Sequence, residues 1–147
     1  MTKLIMSVEI KASPEEVFAF ILDLKKMNDV SKWWDVGGWT SDGPIGVRST
    51  AHYVGVGRNK GEWDLKVTEF AKDKKMTMSV MGTKKRALSS TNSYTLEPTT
   101  KGTKLTYSID YEMPYSILGK LIDKFVHSRM EKGNIKFLED LKKAIEA

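Results

Sequence analysis

Apolar and polar residues alternate along most of this chain and switch to a helical spacing at its end. Leu4, Met6, Val8 and Ile10 fall on one side of an extended segment, with Ile5, Ser7, Glu9 and Lys11 on the other. That period of two predicts a half-buried strand over 4–12. Ser13-Pro14-Glu15-Glu16 then carries the marks of a helix start: a capping hydroxyl, proline at the first helical position, and a glutamate three residues past the cap. A short helix follows with Val17, Phe18, Ile21 and Leu22 inward, and a second is expected over 24–28.

Six more strands are expected after these helices: 33–40, 47–54, 62–70, 76–81, 87–97 and 105–113. The fourth strand of the chain turns Trp63, Leu65 and Val67 to one face; the fifth does the same with Met76, Met78 and Val80. The sixth presents Leu88, Ser90, Asn92, Tyr94 and Leu96 together. The last has the cleanest alternation, with Leu105, Tyr107, Ile109, Tyr111 and Met113 in and Thr106, Ser108, Asp110 and Glu112 out.

From Tyr115 to Glu146 only Gly119 and Gly133 interrupt good helix formers. One helix of that extent spans roughly 48 Å at its standard rise. Leu118, Ile122, Val126 and Met130 step by four, so the apolar stripe rotates by about 40° per step. The stripe around Leu118 and Phe125 therefore points away from that of Phe137, Leu138, Leu141 and Ile145. A kink near Gly133 would reconcile them. The preferred alternative lays the C-terminal half on a sheet and the N-terminal half over a less filled space.

The order strand, two short helices, six strands and a long helix predicts an α+β chain with one antiparallel sheet. Such a sheet needs a cover on one face, and only the last helix is long enough to provide it. A curled sheet closing on a straight rod leaves a gap.

Composition narrows the function less than the pattern does. The 147 residues carry 24 basic and 19 acidic side chains, no cysteine and two histidines. One domain over 1–147 is expected, without disulfides or thiolate chemistry. No apolar run is long enough to span a membrane, and the N-terminus is unlike a signal peptide, which fits a cytoplasmic protein. The lysine clusters at 72–75 and 84–86 flank one strand, so solvated hairpin tips are preferred over a nucleic-acid groove. Gly55-Val56-Gly57 lies between strands, away from any helix N-terminus, and reads as hairpin geometry rather than a phosphate loop.

Several local motifs, in this order of elements, resemble the helix-grip START-like superfamily (SRPBCC), in its polyketide cyclase/dehydrase and lipid-transfer branch. They are Ala12-Ser13-Pro14-Glu15-Glu16-Val17-Phe18, Gly43-Pro44-Ile45-Gly46-Val47, Val67-Thr68-Glu69-Phe70, Lys101-Gly102-Thr103-Lys104-Leu105-Thr106 and Phe137-Leu138-Glu139-Asp140-Leu141-Lys142. The resemblance implies a seven-stranded curved sheet wrapped around the C-terminal helix. It also implies binding or transport of a small hydrophobic or amphipathic molecule between them. A cyclase/dehydratase-like enzyme and a co-chaperone-type interaction module are the alternatives it leaves open. The loop at 42–46 matches the allergen-type glycine-rich loop, but keeps only two of its glycines.

The candidate site follows from polar groups on inward positions, which need partners, water or a ligand. Ser90, Asn92, Tyr94, Tyr107 and Tyr111 are these groups. Tyr53, Trp63, Met78 and Trp34 supply rigid and adaptable apolar surface, and Leu118 and Phe125 face the same space from the helix. His52 is expected on the outer face, and His127 sits where the helical stripe rotates. Neither two histidines nor any Ser/His/Asp grouping makes a metal or hydrolytic centre. No cofactor is expected, and no catalytic residue is singled out. Oligomeric state is left open.

Overall fold

A computed structural model describes residues 2–31, 34–55, 61–83, 89–112 and 119–147, with backbone alone at 2, 34–36, 112 and 119–126. The elements are β1 (Thr2–Ile10), α1 (Pro14–Leu22), α2 (Leu24–Val30), β2 (Trp34–Trp39), β3 (Thr50–Gly55), β4 (Glu62–Ala71), β5 (Lys75–Gly82), β6 (Ser89–Pro98), β7 (Thr103–Glu112) and α3 (Gly119–Glu146). The strands form one antiparallel sheet in the order β1-β7-β6-β5-β4-β3-β2. All neighbours but one are consecutive in sequence; the first strand closes the sheet by pairing with the last, Leu4 opposite Ile109 and Val8 opposite Leu105.

The start of α1 is built as its sequence dictates. Ser13 is extended, and its hydroxyl accepts a hydrogen bond from the Glu16 N–H at 3.2 Å, with Pro14 in the first turn. Val17, Phe18 and Ile21 are buried beneath it. Asp23 repeats the device for α2, accepting from the Lys26 N–H at 3.2 Å. Ser13→Ala leaves one helix-end donor to water and is expected to lower stability by about 1 kcal/mol, read from the urea midpoint.

The third strand begins at Thr50 rather than Val47. Arg48 has φ 78 and Ser49 donates its backbone N–H to the Gly46 carbonyl at 3.1 Å, so 46–49 is a turn, held also by the Gly46 N–H on the Ser49 hydroxyl. Val47, apolar and in phase with the strand, is 56% exposed; the left-handed residue beside it ends the alternation.

Inward rows run across the sheet, such as Met6, Tyr107, Tyr94 and Met76, then Leu4, Ile109, Asn92 and Met78. The opposite face carries the row Ile5, Ser108, Ser93 and Thr77. Thr77 is buried there because its hydroxyl meets that of Ser93 at 2.8 Å across the strands. α3 is one helix through Gly133, and the expected Tyr115 start falls outside the described residues. Its C-terminal half buries Phe137, Leu138 and Leu141 and packs on β1, with α1 and α2 alongside. Among the described residues no helix is long and apolar enough to cross a membrane.

Candidate functional site

Among the described residues α3 packs chiefly on β1, at one edge of the sheet, and leaves the inward faces of the middle strands partly uncovered. A cavity of about 430 Å³ lies there, within the range of pockets that take drug-sized ligands. Its apolar wall comes from the sheet through Leu65, Met76, Met78, Val80 and Ile109, and from the helices through Ile21, Leu24, Met27, Met130 and Phe137. Ser90 and Asn92 are the polar members of its sheet wall beside the tyrosines.

Polar groups form a chain along β6 and β7. The Ser90 hydroxyl donates to Asn92 Oδ1 at 2.7 Å, and Asn92 Nδ2 donates to the Tyr107 hydroxyl oxygen at 2.9 Å. Tyr94 stands directly opposite Tyr107 in the ladder, and their rings stack with centroids 4.6 Å apart. Phe137 from α3 meets the Tyr107 ring edge-on at 6.0 Å. The ring plane is thereby fixed on both sides, so the hydroxyl at its end is held in place.

Burial decides the protonation of these tyrosines. Loss of water pushes the Tyr107 hydroxyl up to about 12, although hydrogen bonds from Asn92 and Tyr94 pull it the other way. Tyr94 and Tyr53 are also raised, chiefly by burial and further by the neighbouring Tyr107. All three are protonated at neutral pH, with their hydroxyls able to donate hydrogen bonds.

Of the expected site residues, Tyr53, Trp63, Met78, Ser90, Asn92, Tyr94 and Tyr107 border this one cavity. Tyr111 does not: it is fully buried on the inward face opposite Ser90, without lining the cavity itself. The Trp34 and Phe125 side chains and all of Leu118 lie outside the described residues, as do Trp33 and the lysines of 84–88.

Sequence reasoning missed the wall supplied by α2. Leu24, Met27, Asn28 and Ser31 recur at the spacing of a single helical face and all border the cavity, but a seven-residue helix is too short for that stripe to stand out in the sequence. Asn134 plays the same part on α3, one turn from Met130 and Phe137, with its Nδ2 donating to the Met130 carbonyl at 2.8 Å. Any side chain at Gly37 would collide with the Tyr53 ring, which lies flat across β2.

The histidines stand apart. His52 is on the outer face, its Nδ1 2.8 Å from Asp64 and Nε2 3.5 Å from Glu62, and the Asp64 hydrogen bond leads in raising its pKa. His127 lies half-exposed on α3, 3.5 Å from Glu131, and does not border the cavity. Among the described residues no cluster of His, Cys, Asp and Glu could hold a metal.

Solved structures share this architecture. The protein TTHA0849 from Thermus thermophilus superposes with a TM-score of 0.80 at 20% identity, covering 98% of this chain and 97% of its own. SA2116 from Staphylococcus aureus gives 0.76 at 13% identity, with 99% and 93% covered. The Aha1 dimer from Colwellia psychrerythraea gives 0.69 at 22%, with 99% and 97% covered. At such identities the likeness establishes the fold alone, and it is the helix-grip fold. Comparison with curated proteins finds no match. Residues 1–146 match the family model described as polyketide cyclase / dehydrase and lipid transport. With nearly the whole chain covered, this protein belongs to that family.

Proposed function

We propose that this protein binds a small hydrophobic or amphipathic molecule in the cavity between sheet and C-terminal helix, to carry or sequester it. The observation that carries the reading is the cavity itself: about 430 Å³ of space, mostly apolar in its described lining. Burial of apolar ligand surface supplies affinity, and the fixed hydroxyls and amides orient the ligand.

The family description names both catalysis and transport, and the lining favours the second. Among the described wall residues there is no carboxylate, imidazole, amine or guanidinium, and the tyrosines are moved away from working pH, where a general base is least effective. An interaction module is not favoured either. Among the described residues the exposed large apolar side chains Ile5, Val47, Met81 and Ile135 are dispersed over β1, the turn before β3, β5 and α3, whereas a docking surface gathers them into a patch.

A neutral, environment-sensitive fluorophore such as N-phenylnaphthylamine is expected to bind saturably at one site per chain. Val80→Trp places an indole in the cavity and is expected to weaken that binding by about tenfold or more while far-UV circular dichroism is retained. Unsaturable binding, or binding untouched by Val80→Trp in a folded variant, would overturn the reading.

A further inference from the structure

In the middle of its 28 residues α3 carries Gly133-Asn134, two of the weaker helix formers side by side. Further along, Phe137, Leu138 and Leu141 are the kind of residue this half of the helix otherwise buries. Asn134 is only 6% exposed and borders the cavity. Leucine at that position would suit both the helix and an apolar wall better, so the amide needs a reason in its surroundings.

The amide is half engaged. Its Nδ2 donates to the Met130 carbonyl at 2.8 Å, one turn back along α3. A carbonyl oxygen only accepts, so this bond fixes which end of the amide is nitrogen. At the other end, no described residue donates to Oδ1. Nor is Oδ1 sealed: among the described residues the unpartnered side-chain atoms closed off from any solvent are Asn28 Oδ1 and His127 Nδ1. An acceptor that is neither bonded nor closed off, on a buried residue of the cavity wall, opens to the cavity. Met130 and Phe137 flank it on the same face of α3, and the sheet side of the wall offers Leu65, Met78 and Val80.

We propose that Asn134 Oδ1 is the recognition acceptor of this cavity, taking a hydrogen bond from an O–H or N–H of the bound molecule while the apolar body lies against the sheet. This deepens the binding reading above and rests on it. The Met130 carbonyl holds the amide in place before the ligand enters, so little side-chain freedom is lost on binding. Water can serve the acceptor until then. A ligand with a donor replaces that bond, whereas one without a donor displaces the water and leaves Oδ1 dry and unbonded. Selectivity therefore comes chiefly from the penalty on molecules that lack a donor.

The test displaces N-phenylnaphthylamine from the full chain with two matched pairs: dodecanol against dodecyl methyl ether, and dodecanamide against N,N-dimethyldodecanamide. In each pair the second member has its donor capped by methyl. At least one donor-bearing member is expected to bind about tenfold more tightly than its capped partner, and the pair with the larger ratio tells whether O–H or N–H fits. Asn134→Leu removes the acceptor, nearly keeps the volume and improves helix propensity. In it the ratio should fall to about one. Each ratio is taken within one variant, so altered cavity shape or fluorophore affinity moves both members alike. A merely structural role for Asn134 would leave the ratio as it was. Asn134→Ala gives the same comparison where leucine is not accommodated. Equal affinities within both pairs in the natural chain, or a ratio that survives loss of the amide, overturns the assignment to Asn134 and leaves the cavity reading standing. Failure of the fluorophore itself to bind saturably overturns both.

Discussion

Gly102→Ala is expected to lower stability by about 3 kcal/mol or more, among the largest effects a single methyl can have. Gly102 sits in the turn between β6 and β7 with φ 151, a conformation that only glycine adopts without strain. Space compounds the problem. A Cβ there would overlap the Ile10 carbonyl oxygen and stand 2.9 Å from the Ala12 N and 3.0 Å from its O. These are backbone atoms at the exit of β1, so no side chain can swing aside. Nor can the turn withdraw. Its N–H is held by Thr99, and the adjoining Thr103, fully buried, donates its hydroxyl to the Ala12 carbonyl at 2.7 Å. This contact ties the turn of the final hairpin to the end of the strand on which α3 rests, and loosening it frees both. Gly38→Ala is the matched control: a Cβ there meets nothing within 4 Å, and the change should stay within about 0.5 kcal/mol. Urea unfolding of the two variants checks the pair. A Gly102→Ala midpoint equal to that of Gly38→Ala would show that the junction is not tight.

How much of this was legible in the sequence depends on the range of the interaction. Strand and helix identities were, because a half-buried element writes its own period: Leu105 to Tyr111 alternates in sequence and in burial alike. The capping hydroxyl of Ser13 was legible for the same reason, since donor and acceptor lie three residues apart. Val47 misled because an apolar residue in phase is indistinguishable from a strand position until the φ of Arg48 is known. The polar residues of β6 and β7 could be placed on the inward face, but not the chain that joins Ser90, Asn92 and Tyr107, which needs the register of two strands. Least legible was Asn28. A short helix of seven residues has too few turns for its inward stripe to stand out. Its amide is placed by the β2 backbone at one end, while no described group bonds the other. The cavity itself is set by where α3 leans, a property of the closed sheet and of no single segment.

The buried tyrosines make a second large effect, this one on pH. In an unfolded chain tyrosine releases its proton near pH 10. In the folded protein burial holds Tyr107 up to about 12 and raises Tyr94 and Tyr53 as well. Below about pH 10 both states keep these protons, so the folded state has its full stability. Above it the unfolded chain binds fewer protons than the folded one, and stability falls with every further increment of pH. For Tyr107 alone the loss reaches on the order of 2–3 kcal/mol as pH approaches 12. Tyr94 and Tyr53 act in the same direction and steepen the fall. The urea midpoint is therefore expected to be flat from neutral pH to about 10 and to drop steeply beyond it. Tyrosinate absorbance should rise together with the loss of secondary structure, because these hydroxyls ionise chiefly on unfolding. Tyr107→Phe removes one titrating group and should make the alkaline fall shallower, at a cost in stability at neutral pH for the Asn92 amide left facing a ring edge. Titration of all the tyrosines near pH 10 in a chain that keeps its circular dichroism would show that water reaches the hydroxyls. The fixed, dry wall on which ligand orientation depends would then be absent.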